Sequence, residues 1–210
     1  MSGRVRAAQE LRIIGGAWRG RRWRFPANPA IRPTPDRVRE TLFNWLAPGL
    51  EGARALDLFA GSGALGLEAL SRGAAYVHFV EQDGPSAGAL RSLLAAWPAP
   101  LYGATAPDPA RARVMQADAL RLVGGARPAD LAPFDIVFLD PPFADGLAGR
   151  CMADLARGDW LASGARVYVE APAREPPPAL PPGWQWLRSR TAGEVGYYLA
   201  QREQFAGLPK

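Results

Sequence analysis

The chain has 210 residues, 48% hydrophobic and 21% charged, the balance of a soluble globular protein with enough length for one full core. One cysteine, Cys151, and one histidine, His78, exclude an internal disulfide and leave no soft-ligand set for a structural zinc, so no metal is expected. The net charge of +5 hides an imbalance: residues 1–40 hold ten arginines against Glu10, Asp36 and Glu40, and a basic arm on a near-neutral body is the electrostatic footprint of a polyanion binder.

The N-terminal stretch MSGRVRAAQELRII carries arginines but no apolar core of the kind a secretion leader needs. Nor does any run reach the roughly 18 apolar residues of a membrane span, so a cytoplasmic protein without membrane association is expected. RIIGGAWRGRRWRFP (12–26) sets short apolar and basic pieces around Gly15, Gly16 and Gly20 and predicts a small hairpin. RPTPDRVRETLFNWL (32–46) carries a helix start at Thr34-Pro35-Asp36, then an apolar stripe of Val38, Leu42, Phe43, Trp45 and Leu46. Residues 1–50 thus read as a basic extension ahead of a larger domain, 51–210.

From there strands and helices alternate. RALDLFA (54–60) predicts a strand, GALGLEALSRG (63–73) a helix stopped by Gly73, and YVHFVE (76–81) a strand with His78 packed inside it or at its rim. PSAGALRSLLAAW (85–97) predicts a helix with Pro85 in its first turn, 98–110 a loop, and RARVMQAD (111–118) a strand. A short helix leads to FDIVFLD (134–140), the most apolar strand; LAGRCMADLARGDWLA (147–162) predicts a helix burying Cys151, and ARVYVEA (165–171) a strand. This rhythm defines an α/β fold with a mostly parallel, doubly wound sheet. PAREPPPALPPGW then forbids a long helix. WQWLRSR (184–190) and VGYYLAQ (195–201), turning at Gly193, predict a closing antiparallel hairpin.

DLFAGSGALGLE (57–68) places Gly61, Gly63 and Gly66 in the G-x-G-x-x-G spacing between strand and helix, with Glu81 ending the next strand. Taken alone this is a dinucleotide fingerprint, and a nicotinamide or flavin oxidoreductase is one reading. Asp57 argues for another. A carboxylate just below the loop opposes a bound phosphate by about 1–4 kcal/mol and favours a cation. S-adenosylmethionine brings an ammonium and a sulfonium and no phosphate; Glu81 can accept from its ribose and Asp118 from its adenine amine. Three acids ending three successive strands would line one crevice at the carboxyl edge of the sheet, where open α/β folds bind ligands.

DPPF (140–143) closes the most apolar strand. Methylating the amine of a nucleobase requires holding a nitrogen whose lone pair is delocalised into the ring. The Asp140 carboxylate and the Pro141 carbonyl can accept its two hydrogens, the prolines pre-aim that carbonyl, and Phe143 offers a face on which an unstacked base can lie.

D-P-P-F resembles the signature of amino-group methyltransferases of the Rossmann-like, S-adenosylmethionine-dependent class I. RIIGG-x-W-RGR, RPT-x-DRVRETLFNWL, LD-x-FAGSGALGLEALSRGA and DPPF, in that order, resemble the RsmD family over essentially the whole chain. The resemblance implies methylation of the exocyclic 2-amino group of one guanine in 16S rRNA, within the small ribosomal subunit, using S-adenosylmethionine; a monomer is expected. It implies catalytic roles for Asp140, Pro141, Pro142 and Phe143. It implies cofactor contacts from Asp57, Phe59, Ala60, Gly61, Ser62, Gly63, Glu81, Gln82, Asp118 and Ala119. RNA contacts are implied for Arg12, Arg19, Arg21, Arg22, Arg24, Arg32, Arg37 and Arg39. The residues themselves leave open amino methylation of adenine or cytosine in DNA, and an RNA-binding module on a catalytically dead fold.

Overall fold

The basic run RWRF alternates charge and ring, and a strand is the structure that sends the two to opposite faces. The computed structural model describes residues 9–26, 28, 33–97, 111–143 and 146–202. In it β1 (Gln9–Arg12) pairs antiparallel with β2 (Arg22–Phe25), with Arg12 opposite Arg22 and Glu10 opposite Arg24. Trp23 and Phe25 are buried while Arg22 and Arg24 face out, as the alternation requires. Helix α1 (Asp36–Leu46) follows, started by the fixed φ of Pro35 and by Asp36 in the first turn. It buries Val38, Leu42, Phe43 and Leu46, with Trp45 at the margin.

By internal packing the chain divides into two units, Met1–Asp118 and Ala119–Lys210, so the basic hairpin shares a unit with the glycine loop. In the first unit, β3 (Arg54–Asp57), β4 (Tyr76–Glu81) and β5 (Ala112–Gln116) run parallel, with Ala55 opposite Val77 and Val80 opposite Met115. Helix α2 (Ala64–Ser71) packs on β3 and β4, and α3 (Gly84–Ala96) on β4, β5 and β2. Every residue of α2 is buried, which explains its weak amphipathic pattern: it has no solvent face. Asp83 caps α3 by accepting from the Ser86 N–H at 2.9 Å. His78 is fully buried in β4, as expected.

The second unit runs α4 (Ala119–Val123), β6 (Phe134–Leu139), α5 (Leu147–Arg157), β7 (Leu161–Pro172), β8 (Trp184–Ala192) and β9 (Val195–Arg202). β6 and β7 are parallel, β9 pairs antiparallel with β7, and β8 with β9. The sheet order is β5-β4-β3-β6-β7-β9-β8, mostly parallel with the expected antiparallel end. Cys151 is buried on α5.

One element ends early. The expected helix 147–162 stops at Arg157, because Gly158 turns extended and Trp160 inserts beside Phe134. Leu161 then already belongs to β7, which reaches its regular register through an irregularity between Phe134–Leu161 and Ile136–Arg166. Gly164, at φ +70°, lies in that irregularity and supplies the left-handed residue. Gly193, at φ +60°, does the same at the β8–β9 turn. The loop 98–110 lies outside the described residues. Among those described, no helix is long and apolar enough to cross a membrane.

Candidate active site

The turn between β3 and α2 is built on Asp57, Phe59, Ala60, Gly61, Ser62 and Gly63. Gly61 and Gly63 have φ of +51° and +79°, a backbone that side chains rarely tolerate. A Cβ on Gly63 would lie 2.7 Å from a Leu90 methyl, and one on Gly66 would lie 2.1 Å from the Phe79 ring. The first and second glycines therefore serve the turn, and the third lets α2 lie close on β4. The Ala60 N–H donates to the Val80 carbonyl at 2.9 Å and the Gly63 N–H to the Ala60 carbonyl at 2.6 Å.

The two acids beside the turn work differently from one another. Asp57 is 2% exposed, and its Oδ2 accepts from the Gly66 N–H at 3.0 Å. Burial pushes its pKa up to about 7; the Gly66 N–H opposes the shift and the Glu81 charge adds to it. Its first task is to hold the turn against the helix, a use the sequence reading did not give it. Glu81 is partly exposed and accepts from the Gly61 N–H at 2.6 Å and the Asp83 N–H at 2.7 Å. Carboxylate oxygens retain further acceptor capacity, so a diol donor can add to these bonds. Gln82 is exposed, Phe59 and Asp118 partly exposed, and Ala119 buried at the start of α4.

In the second unit, Asp140 follows β6 and is partly exposed, Pro141 is buried and Pro142 exposed. Phe143 is 49% exposed, and among the described residues it is the large apolar side chain left in solvent. A free-standing ring after two prolines suits a stacking platform better than a core contact. The pairing of Leu139 with Val169 brings Glu170, on β7, level with Asp140 on the neighbouring strand. Glu170 is 4% exposed and accepts from the Tyr168 hydroxyl at 2.8 Å. Burial holds the Tyr168 proton far above the ordinary phenol range, reinforced by the charge of Glu170 and its hydrogen bond and, further down, by the Asp140 charge. Sequence reasoning missed this pair. Its signal was the acid in VYVE, near the end of a parallel strand as Asp57, Glu81 and Asp140 are near theirs.

The basic residues sort by exposure. Arg12, Arg19, Arg21, Arg22, Arg24 and Arg37 are exposed. Arg12 pairs with Asp36, Arg22 and Arg24 pair with Glu10, and Arg21 lies 5.5 Å from the Trp97 ring centre. Arg32 lies outside the described residues. Arg39 is a correction: its side chain is fully buried, paired with Asp36 and Glu68 and bonded to the Arg12 carbonyl, so it cannot meet RNA as the resemblance implied. Glu68 was missed. Fully buried on α2, it accepts from the Ile14 and Gly15 N–H groups and pairs with Arg39 and Arg72, tying the basic hairpin to the helix that the glycine turn launches.

The strand order and the glycine turn together define the Rossmann-like fold of class I methyltransferases. The chain belongs to the RsmD family: its family model, described as Conserved hypothetical protein 95, matches residues 11–201. It is 44% identical over 194 residues to Ribosomal RNA small subunit methyltransferase D of Escherichia coli K12, covering 92% of this chain and 91% of that one. The protein of that name from Haemophilus influenzae is 40% identical over 195 residues, covering 93% and 95%. A solved structure, Putative methyltransferase yhhF from Escherichia coli, superposes with a TM-score of 0.77 at 43% identity, covering 93% of this chain and 99% of that one.

Proposed function

We propose that this protein transfers a methyl group from S-adenosylmethionine to the exocyclic 2-amino group of a guanine in 16S rRNA, acting as a cytoplasmic monomer on the small ribosomal subunit. The observation that carries the reading is the 44% identity, across 92% of the chain, to a small-subunit rRNA methyltransferase. The cofactor fits the residues present. Gly61 and Gly63 hold the turn at positive φ, which leaves its backbone bare of side chains, and Glu81 stands beside it with a carboxylate able to accept from a ribose. Asp118 and Ala119, with Gln82, Phe59 and Ser62, complete the set that would hold it. Bound there, the cofactor supplies an electrophilic methyl carried on a sulfonium.

The chain's own residues prepare the acceptor. Asp140 accepts one amine hydrogen and the Pro141 carbonyl the other, which aims the nitrogen lone pair. The guanine stacks on Phe143, and the proton shed by the nitrogen leaves through the Asp140 carboxylate. Residues 1–50 act as the RNA-facing extension through Arg12, Arg19, Arg21, Arg22, Arg24, Arg32 and Arg37.

The test is methyl transfer from labelled S-adenosylmethionine to small subunits that lack this modification, with stripped 16S rRNA and duplex DNA as parallel acceptors. Label in guanine of the subunit is expected. Label in DNA adenine or cytosine, or no label at all, would defeat the reading.

A further inference from the structure

The glycine turn is pinned from outside its own strand and helix. The indole Nε1 of Trp23, on β2, donates to the Ser62 carbonyl at 2.9 Å. Trp23 is 4% exposed and Ser62 5%. Ser62 stands between two positive-φ glycines, the residues that resist rearrangement least. Its peptide unit is held at both ends, the carbonyl by Trp23 and the following Gly63 N–H by the Ala60 carbonyl. The same ribbon is stitched to α2: the Ala17 N–H donates to the Ser71 carbonyl, the Trp18 N–H to Ser71 Oγ, and Ser71 Oγ to the Gly15 carbonyl. Gly16 meets that helix so closely that a Cβ would lie 1.9 Å from the Ser71 carbonyl oxygen. On the outer face of the same strand, Arg22 and Arg24 point to solvent. The strand thus turns Arg22 and Arg24 to solvent and, between them, Trp23 to the turn.

We infer that Trp23 is a positioning residue for the cofactor turn, and that through it polyanion binding on the ribbon and cofactor binding in the turn tighten one another. Such a linkage is reciprocal by thermodynamic necessity. The inference rests on the reading that the turn holds S-adenosylmethionine.

Titrating S-adenosylhomocysteine into the full chain by calorimetry, with and without oligouridylate RNA as the polyanion, tests it. Trp23→Phe keeps a ring and removes the N–H. Trp18→Phe perturbs the same aromatic cluster, since both rings meet Trp97, and its bond to α2 is made by backbone. Wild type should bind, and bind more tightly with RNA present. Trp23→Phe should bind about five- to tenfold more weakly and lose the RNA effect, while Trp18→Phe keeps both. Unchanged binding in Trp23→Phe, or an equal loss in Trp18→Phe, overturns the inference alone; a wild type that binds no S-adenosylhomocysteine overturns the cofactor reading with it. If Trp23→Phe does not fold, amide exchange in the wild type decides. The Gly61 and Gly63 amides should exchange several-fold more slowly with RNA present, and unchanged rates overturn the linkage.

Discussion

Replacing Asp57 by asparagine isolates the cost of keeping an acid under the glycine turn. Its carboxyl is buried and its pKa is raised from 3.8 to about 7, by burial first, with the Gly66 N–H opposing and the Glu81 charge reinforcing. Between those values the folded protein holds a proton that the unfolded chain has released. The contribution to stability is therefore fully present below the unfolded pKa and is lost as pH rises through about 7. A rise from 3.8 to about 7 corresponds to about 4 kcal/mol. Asparagine keeps an oxygen for the Gly66 N–H and cannot ionise. The variant should match wild type near pH 4 and exceed it near pH 8 by up to about 4 kcal/mol.

Urea unfolding followed by the fluorescence of the chain's seven tryptophans, at several pH values between these limits, measures this. Titrating groups that do not interact with Asp57 cancel in the difference between the two proteins; Glu81, whose charge Asp57 feels, does not. A flat difference curve, or one of opposite slope, would refute the burial argument. A second readout separates structure from function. If the ionised carboxylate favours a cationic ligand, wild type should increasingly prefer S-adenosylmethionine over uncharged-sulfur S-adenosylhomocysteine as pH rises through about 7, and the variant should not. A variant that is more stable and less discriminating would mark Asp57 as an acid retained for its work on the cofactor at a cost in stability.

Asp140→Ala should lower turnover on small subunits at least about 100-fold while filter binding of RNA stays unchanged, because one positioned acceptor is lost and no core group is. Phe143→Ala should weaken acceptor binding by about 1–3 kcal/mol, read as a raised KM, with the unfolding midpoint unmoved since the ring is half in solvent. Glu68→Ala should destabilise by about 3–5 kcal/mol in denaturant titrations, because it removes the buried acid that pairs with Arg39 and Arg72 and accepts from the Ile14 and Gly15 N–H groups.

The elements were legible where period and punctuation agree. RWRF, YVHFVE and the glycine turn could be read directly. The break at Gly158 could not, since apolar residues continue on both sides of it and tertiary pairing with β6 decides where α5 yields to β7. The acids at strand ends were legible as a set, but the depth of each was not. Asp57 is sealed beneath the turn while Glu81 reaches its edge, a difference made by the neighbouring α2. Tyr168 and Glu170 were invisible as a pair because an alternating strand pattern says which side a residue faces and not what it meets there.

The arginines show why charge in a sequence is not charge at a surface. Arg39, Leu42, Phe43 and Leu46 stand at the i, i+3, i+4, i+7 positions of α1, so the period already placed Arg39 on the buried face. A buried guanidinium requires acids to pair with; Asp36, three residues back, supplies one from the helix start, and the buried one, Glu68, is 29 residues away, beyond any local pattern. Arg39 and Glu68 thus leave the field seen by a ligand and become the bolt that fastens the ribbon. The surface pairs behave in the opposite way. Arg22 and Arg24 share Glu10 with most of their side chains in water, and Arg22, by hydrogen bond first, holds the Glu10 carboxyl below its usual range. Exposed pairs of this kind are screened by water and contribute little, so exchanging Glu10 for a phosphate would cost little. The exposed arginines thus share a surface acid only weakly, while the buried pair beneath fastens the ribbon to α2.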